Sequence, residues 1–594
     1  MPRSRSAPGS IRAPRASTST AQKMDSGVDA PQIVVSQEVS VGAMARVARR
    51  DPGLVGGGNG GTGTSINYDD GNLNYGRGLT SLGIQGRTLV DGRSSTRELR
   101  IEAVYFYDFI NADGRTDFRP LSGDARNRAG RNLYLNDAYV GFNGIRLGNQ
   151  ILRWSESPSF GHSIAPVNPV TYSRRYQPGN TAKDLYVALP MLTAKLESAS
   201  KRTLQGFYQL AFKPTELEAA GTFLSGNDYY SPGARFLQLG QGSPLVPDAD
   251  VSFVTPATPF GSKVPRAADR RPNPAGQYGA RIETPELGAA KLTLAGYAMR
   301  VHSREPIVSV RTGTLGGLQR IAAPDYTSSG SYFLEYVPNV TVLGSSARLV
   351  PASGTRLTLD YSMRLRQPLQ IDDDTVITAG LAPAAAVGAC APDPASPTCA
   401  ATLAALNRNP LIASRGGITA ANAASFFSTE LSGYERFNVS QYAASMVQGL
   451  PPILGARQWS LAAELGGVYI HGFKDGLLDA SVSIRPDAAG GRRQGLATRS
   501  AWGYRLSTRF DYADLMGMQS VSPSVTWIHD VKGNAPITLG TLLEESKSLI
   551  LATDFAIDKS LGGRLSYRSY LAKGSNADRF SDRDFVAFSL TKKF

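Results

Sequence analysis

The chain has 594 residues, of which 41% are hydrophobic, and a formal charge of +14. It contains no run of about 18 apolar residues, so a transmembrane helix is excluded; the longest candidate is short, rich in Ala and interrupted by Pro383. A membrane protein with this sequence would therefore be a closed β-barrel. The arginines are spread singly along the chain instead of clustering on one patch, so nucleic-acid binding is not expected.

The first 50 residues are predicted to be an extension outside the fold. Residues 1–21 are basic and rich in Ser, Pro, Thr and Ala, without the apolar stretch of a secretory signal. An exported barrel needs such a signal. The sequence therefore favours a misassigned start site, with residues 1–50 disordered or wrongly annotated.

Residues 51–79 are dense in Gly, Asn and Asp, which favour turns. They are predicted to form an N-terminal segment and a possible plug of the barrel lumen. The run Asp69-Asp70-Gly71-Asn72 lacks the alternate-position acids and the terminal Glu of a calcium loop, so a plain turn is predicted there. No metal and no other cofactor is expected.

Alternation of apolar and polar residues with a period of two predicts long β-strands. In Arg356–Arg366, Leu, Tyr and Met alternate with Arg, Asp, Thr and Ser. The same alternation occurs in Glu98–Phe109, Trp502–Asp511 and Leu561–Arg568. Further strands are predicted near Leu204–Phe212, Lys291–Arg300, Ser331–Val337, Trp459–Tyr469, Ser520–His529 and Ser548–Ile557.

These strands have roughly the 9–11 residues that a tilted membrane strand needs, which is long for a soluble sandwich. The fold class predicted is therefore all-β, as a single large antiparallel transmembrane β-barrel of outer-membrane type. We expect an even count of roughly 14–18 strands over residues 80–594, with long loops and a short helical insertion. A soluble sheet also alternates, so periodicity alone does not decide which face meets lipid. Aromatic residues near strand ends would form interfacial girdles; examples are Tyr107, Phe109, Trp502 and Trp527.

Two regions interrupt the strand rhythm. Residues 153–190 contain five prolines and are predicted to form a long, ordered loop. Residues 378–457 contain the only two cysteines, Cys390 and Cys399, which suit a local disulfide in an extracellular loop. In the same region Val439, Tyr442 and Leu450 follow a helical spacing, so a short helix is predicted there.

The carboxy-terminal segment, Asp584–Phe594, alternates and ends on an aromatic residue. It resembles the assembly signal of bacterial outer-membrane barrels, with Phe588, Leu590 and Phe594 as the signal residues. This resemblance implies the barrel assembly machinery as a partner. A carboxy-terminal edge strand of a soluble β-protein is the alternative.

Several separated segments resemble, in order, the proteobacterial domain-of-unknown-function family 1302. They are Arg50–Gly78, Gly148–Val170, Ala188–Glu197, Leu204–Tyr229 and Ser440–Ile470. The resemblance implies an outer-membrane barrel, often encoded beside inner-membrane exporters and in gene clusters that handle hydrophobic or aromatic compounds. It carries no settled substrate.

Two groups of candidate site residues stand out, each with two interpretations. Gln150, Trp154 and Glu156 could shape a solute path, or could fix the loop 153–190 to the barrel wall. Seven charged residues on the polar strand faces could line the lumen and set an anion preference, or could form a cross-strand salt-bridge lattice. These seven are Arg356, Asp360, Arg364, Arg505, Arg509, Arg564 and Arg568.

An enzyme is not expected. The four histidines, His162, His302, His471 and His529, lie in no metal-binding spacing, and no G-x-S-x-G motif is present. A catalytic triad built from neighbouring strands would leave no sequence signature, so it stays an open alternative.

The function predicted is passage of small hydrophobic or amphipathic compounds across the bacterial outer membrane, with an inner-membrane exporter as partner. Outer-membrane lipid and lipopolysaccharide would surround the barrel. The alternative is a surface scaffold or adhesin without transport activity.

Overall fold

The computed structural model describes residues 32–240, 243–319, 325–480, 485–486, 493–494, 496–540, 542–571 and 579–594. Eighteen strands pair side by side in one antiparallel sheet, and the first strand also pairs with the last, so the sheet closes into a barrel. In chain order, strands β1–β18 are Gln32–Arg46, Gly78–Arg93, Arg97–Asp108, Arg131–Phe142, Ile145–Gln150, Leu189–Glu197, Thr203–Gln209, Tyr278–Glu283, Thr293–Val301, Val340–Leu349, Arg356–Gln370, Tyr434–Leu450, Gln458–His471, Ser500–Leu515, Met518–Lys532, Lys547–Ala556, Leu561–Tyr570 and Phe585–Lys593.

The connections differ sharply between the two ends of the barrel. At one end, the short-turn end, two connections have only two residues. These are Asn143–Gly144 and Met516–Gly517, and all four residues have positive φ, as the tight turn of a twisted hairpin requires. At the other end, the long-loop end, the connections are residues 47–77, 109–130, 151–188, 210–277, 302–339, 371–433, 472–499, 533–546 and 571–584.

The strand faces are those that the alternation predicts. On β11, Leu359 is 59% exposed on the outside of the barrel, whereas its neighbour Asp360 is 1% exposed inside. Aromatic residues lie near both ends of the outer face: Tyr107 and Phe109 contact each other at the long-loop end, and Trp459 stacks on Phe510 at the short-turn end. The apolar outer band and its aromatic borders are those of an outer-membrane barrel.

The barrel begins earlier than the sequence indicated. Residues 32–46, predicted as part of a disordered or misannotated extension, form β1, which pairs with both β2 and β18. Residues 1–31 lie outside the described residues. Residues 51–79 are likewise not an N-terminal segment ahead of the barrel, because most of them form the first long connection, which packs among the other loops.

The long connections fold into a cap with its own apolar core. Helix α1 (Asp373–Cys390) begins after Asp372, whose carboxylate accepts a hydrogen bond from the Thr375 amide. Helix α2 (Pro397–Leu406) follows, and a disulfide joins Cys390 to Cys399, as predicted. No helix in the described parts of the chain is both long and apolar enough to span a membrane.

Two predicted elements were wrong in position. The helix expected around Val439–Leu450 is instead part of strand β12, because its residues pair along their whole length with β11 and β13. The helical insertion is α1 and α2. The strand expected at Ser331–Val337 exists as Ser331–Glu335, but it pairs with Ile307–Arg311 in a small three-stranded sheet of the cap, outside the barrel wall.

The carboxy-terminal strand closes the barrel. On β18, Phe588 pairs with Ala43 of β1 and is exposed on the outer face, and the Phe594 amide donates a hydrogen bond of 2.8 Å to the Gln37 carbonyl. Leu590 pairs with Val41 on the same face. Whether these residues also act as an assembly signal stays a prediction.

We expect Leu359→Arg to lower the free energy of unfolding by about 2–4 kcal/mol, since it places a charge on the lipid-facing wall. Leu357→Arg, which lies on the same face beside the short-turn end, is the matched control and should cost only about 0–1 kcal/mol. Urea unfolding in lipid vesicles measures both. Equal costs at the two positions would contradict a membrane-spanning β11.

Deleting Phe594 should reduce the amount of folded barrel in the outer membrane without reducing synthesis. The reason is that a weakened β1–β18 seam leaves backbone groups unpaired in lipid, at a cost of several kcal/mol each. The heat-dependent gel mobility of membrane fractions reports the folded form. Phe594→Tyr keeps the aromatic end and serves as the control; unchanged folded yield after deletion would remove the role assigned to this residue.

Candidate functional site

Residues 151–188, here called the inner loop, leave the end of β5 and fold back into the barrel. The Trp154 side chain is 2% exposed, and its ring centroid lies 5.1 Å from that of Phe207 and 6.0 Å from that of Tyr297, on the inner face of β7 and β9. Val167 and Met191 join the same apolar cluster. This cluster attaches the first part of the inner loop to the wall from which it starts.

Gln150 secures the base of the inner loop. Its amide nitrogen donates to the Met191 carbonyl at 2.9 Å, and its amide oxygen accepts from the Thr193 hydroxyl at 2.8 Å. The Asn168 amide then donates to the carbonyls of Gln150 and Val187, which ties the two ends of the loop together. These contacts are those of the wall-fixing interpretation; a part for Gln150 and Trp154 in a solute path stays a prediction.

Glu156 carries the inner loop to a distant part of the wall. Its carboxylate lies 2.8 Å from Arg356 and 3.2 Å from Arg348, and its backbone amide donates to the Asp360 carboxylate. Three residues further on, the Ser159 amide donates to Glu464 of β13 at 3.1 Å. Glu156 thus contacts two strands. Its carboxylate pairs with Arg348 of β10 and Arg356 of β11, and its backbone N–H donates to Asp360 of β11.

The last part of the inner loop contacts the opposite wall. Asp184 is fully buried and lies 2.7 Å from the Arg87 guanidinium of β2, while the Asn136 amide donates to it at 2.6 Å. Lys183 forms ion pairs with Glu102 of β3 and with Asp137. A short turn of 3-10 helix, Ala182–Leu185, places these two side chains next to each other.

The inner loop therefore crosses the lumen. Glu156 reaches β11 and Asp184 reaches β2, and these strands are nine positions apart in a closed ring of 18. Between the two anchors, Phe160 lies under the Arg505 guanidinium, 4.2 Å from ring centroid to Cζ, and the Tyr176 hydroxyl lies 2.6 Å from Arg568. The loop narrows the passage at the level of these arginines.

The seven charged residues predicted to line the lumen all lie on inner strand faces. Asp360 accepts hydrogen bonds from the Glu156 amide of the inner loop, and the six arginines divide into two sets. Near the short-turn end Arg356, Arg509 and Arg564 form ion pairs, the last two with the shared carboxylate of Asp554. Deeper in the lumen Arg364, Arg505 and Arg568 contact groups of the inner loop: the Ser163 carbonyl, the Phe160 ring and the Tyr176 hydroxyl. The first set follows the lattice interpretation, and the second places guanidinium groups at the narrow level.

Arg505 differs from the other lumen arginines in its hydrogen bonding. Its Nη1 group is buried and has no hydrogen-bond partner among the described residues. Its charged neighbours are the carboxylates of Asp530 and Glu464 and the guanidinium groups of Arg175 and Arg568. A buried donor without a partner is costly, so this position suits a passing acceptor or anion.

The histidines do not assemble a hydrolytic site in the described part of the chain. His471 Nε2 lies 2.9 Å from the Ser440 hydroxyl, but both residues are on the outer face, and no described carboxylate or amide bonds the other ring nitrogen. His302 bonds the Asn273 carbonyl, and His529 bonds the Tyr504 hydroxyl. The side chain of His162 lies outside the description.

The sequence profile of the family described as "Protein of unknown function (DUF1302)" matches residues 10–594. The chain belongs to this family. No curated protein matches the sequence of this DUF1302 member.

Solved structures give fold-level likenesses. OccAB2 of Acinetobacter baumannii is 10% identical, with 95% of this chain and 98% of that chain covered and a TM-score of 0.39. OccAB1 of the same organism is 8% identical, with 97% and 99% covered and a TM-score of 0.40. Pseudomonas aeruginosa OccK2 (OpdF), solved in complex with glucuronate, is 10% identical, with 95% and 96% covered and a TM-score of 0.37. Likeness at this level carries no argument about function, and the fold of this DUF1302 protein is assigned from its own strand pairing.

The functional residues that sequence reasoning missed are the partners of the inner loop: Arg87, Glu102, Asp184 and Glu464. A local signal existed only for Asp184, which follows Thr181 at the spacing of a capping box. The other three are ordinary inward-facing charges of predicted or unpredicted strands. Their partners become apparent only once the barrel is closed.

Asp184→Asn should destabilise the barrel by about 1–3 kcal/mol at pH 7, because a charge-assisted contact with Arg87 is lost while Glu102 still partners that arginine. Burial opposes ionisation of Asp184, but the ion pair and hydrogen bonds from Arg87 and Thr181 together lower its pKa. This stabilisation is complete above about pH 4, the pKa of an unfolded Asp, and is lost as the pH falls through the lower folded pKa.

The measurement is urea unfolding of the wild type and Asp184→Asn at pH 7 and at pH 3. The difference between the two proteins should shrink at the acid pH, because below about pH 4 the unfolded wild-type chain takes up a proton at Asp184 and part of the stabilisation is lost. A difference of the same size at both pH values would show that the ion pair is not its source.

Proposed function

We propose that this protein is a channel that passes small amphipathic solutes across the outer membrane. The observation that carries the proposal is the inner loop, which is anchored on β11 by Glu156 and on β2 by Asp184 and so crosses the lumen. An 18-stranded barrel encloses a wide lumen, and a loop fixed across it reduces the opening to one that selects by size and charge.

The chemistry of the narrow level supports a solute with a polar, acceptor-bearing part. Arg505, Arg568 and Arg175 lie together there, with the carboxylates of Asp530 and Glu464 nearby, and Nη1 of Arg505 has no hydrogen-bond partner among the described residues. Phe160 and Tyr176 add flat faces beside these guanidinium groups. A wholly apolar compound could form neither hydrogen bonds nor ionic contacts with these guanidinium groups. Of the two solute classes predicted from the sequence, hydrophobic and amphipathic, the amphipathic class is therefore favoured.

Work with an inner-membrane exporter, and location in the outer membrane beside lipopolysaccharide, remain part of the proposal. The cap favours the second candidate, a surface scaffold or adhesin, because α1 and α2 with their disulfide form an ordered surface outside the barrel. The two functions differ in one measurable property, which is permeability.

Purified barrel reconstituted into liposomes should make them swell in small amphipathic solutes such as 3-phenylpropionate. Liposomes that do not swell, with barrel shown to be folded by gel mobility, would overturn the channel and leave the scaffold.

Arg505→Gln should lower the preference for anions over cations in planar bilayers, because it removes a positive charge beside the inner loop, together with an N–H donor that has no hydrogen-bond partner in the described protein. The reversal potential in a salt gradient gives the permeability ratio, for which we expect a change of at least about twofold. Arg505→Lys keeps the charge and should keep most of the preference. The same reversal potential in all three proteins would remove Arg505 from the selectivity of the channel.

A further inference from the structure

A second site lies in the cap, at the long-loop end. Three connections, residues 47–77, 109–130 and 210–277, enclose a pocket of about 630 Å³. Its walls combine apolar side chains, among them Ile66, Phe118, Leu121 and Phe236, with carboxylates and two arginines. The volume is that of a small-molecule site.

The two arginines that line this pocket already have partners, and beside them the Lys263 ammonium lies 3.1 Å from the centroid of the Phe236 ring. Arg119 lies 2.8 Å from the Asp248 carboxylate, and Arg235 lies 3.3 Å from that of Asp250. Neither arginine therefore requires an anionic ligand as its counter-ion. The carboxylates of Asp248 and Asp250 are neutralised by the same two ion pairs.

Three acceptors of the same pocket are left without a donor. These are one carboxylate oxygen of Asp70, one of Asp228, and the amide oxygen of Gln238; all three atoms are buried, and none has a hydrogen-bond partner among the described residues. Gln238 as a whole is 4% exposed. The other Asp228 oxygen accepts from the Asp70 amide at 3.1 Å, which holds the two carboxylates side by side.

Buried acceptors without donors cost free energy, and two adjacent carboxylates add repulsion. Burial, the largest cause, raises the pKa of Asp70 to about 6 and raises that of Asp228 well above its ordinary value. A ligand that relieves this arrangement must bring N–H donors and a positive charge.

We infer that this pocket binds the protonated amine of a small aromatic or apolar solute, with the ammonium group at Asp70, Asp228 and Gln238 and the apolar body against Phe118 and Phe236. Each ammonium N–H would meet one of the three free acceptors. An aromatic body would gain contact with the Phe118 and Phe236 rings.

A bare metal ion fits the pocket less well. Carboxylate oxygens of Asp69, Asp70 and Asp248 do lie within 4.8 Å of one another. However, Asp69 already accepts hydrogen bonds from the Gly56 amide and the Asn59 side chain, and Asp248 is paired with Arg119 at 2.8 Å, so two of these three carboxylates are engaged. An ion would also leave the apolar walls and most of the volume without a ligand.

This inference does not rest on the proposed function, because the pocket lies in the cap and its cationic ligand differs in charge from the solutes that the arginines of the lumen favour. Isothermal titration of the detergent-purified, full-length barrel at pH 7.5 tests it with 2-phenylethylamine. The comparison ligands are 3-phenylpropionate, which has a similar body and the opposite charge, and calcium chloride.

We expect 2-phenylethylamine to bind, and Asp70→Asn and Asp228→Asn each to weaken it at least about tenfold, since each replaces a carboxyl group that can ionise against the ammonium by a neutral amide. Asp250→Asn is the matched control: it lines the same pocket but is paired with Arg235, and it should change the affinity less than about twofold. Gln238→Leu removes an oxygen that bonds nothing in the described protein, so it should weaken binding without impairing folding.

The proposal is overturned if 2-phenylethylamine does not bind, if it binds all variants equally, if 3-phenylpropionate binds more tightly, or if calcium binds and the amine does not. Gel mobility establishes that each variant is folded. A barrel that binds the amine but does not permeabilise liposomes would overturn the channel and leave this site. A barrel that permeabilises liposomes but does not bind the amine would do the reverse.

Discussion

The seam between β1 and β18 is the contact on which the rest of the molecule depends. In the hydrocarbon of a membrane each unpaired backbone N–H or C=O costs several kcal/mol, so an open sheet of this size would be untenable there. Nine residues of each strand pair across the seam, from Glu38 with Lys593 to Arg46 with Phe585. Once it is formed, every wall strand has two neighbours, and the side-chain alternation sorts apolar groups outward and charged groups inward.

Closure creates a second constraint, which is the width of the lumen. Charged side chains on the inner strand faces would be solvated in an empty channel, but here they form ion pairs and hydrogen bonds with the inner loop. The inner loop depends on these contacts, because its own polar groups are buried inside the barrel and require partners. Asp184 and Glu156 illustrate this exchange: each neutralises arginines of the wall and is itself held in place by them. The passage is thus shaped by ion pairs whose partners lie far apart in sequence.

Much of the wall could be predicted from the sequence, because a strand with one apolar face carries its own signature. Leu359 and Asp360 were assigned to opposite faces of β11 from parity alone. The failures are informative. In β12, Val439, Tyr442 and Leu450 happen to follow a helical spacing, while the outward positions between them hold Ser440 and Ala444, which are too weakly apolar to mark a strand.

The candidate site was less accessible to sequence reasoning. The arginines of the lumen were found because they alternate with lipid-facing residues, but which of them would be paired depends on how the ring closes and where the inner loop lies. The cap pocket was not foreseen. Asp70 and Asp228 are 158 residues apart, and the turn Asp69-Asp70-Gly71-Asn72 gives no hint that another loop will bring a second carboxylate to it.

The disulfide also affects which part of the surface can change in sequence over evolution. It joins the end of α1 to the first turn of α2 and leaves residues 391–395 as an exposed arc between two fixed points. Sequence drift or an inserted peptide within this arc would alter the outward appearance of the cap without disturbing α1, α2 or any wall strand. The two-residue hairpins at the other end allow no such freedom, because their positive φ values fix both length and residue type. Variation, and recognition by other molecules, is thereby concentrated on the cap.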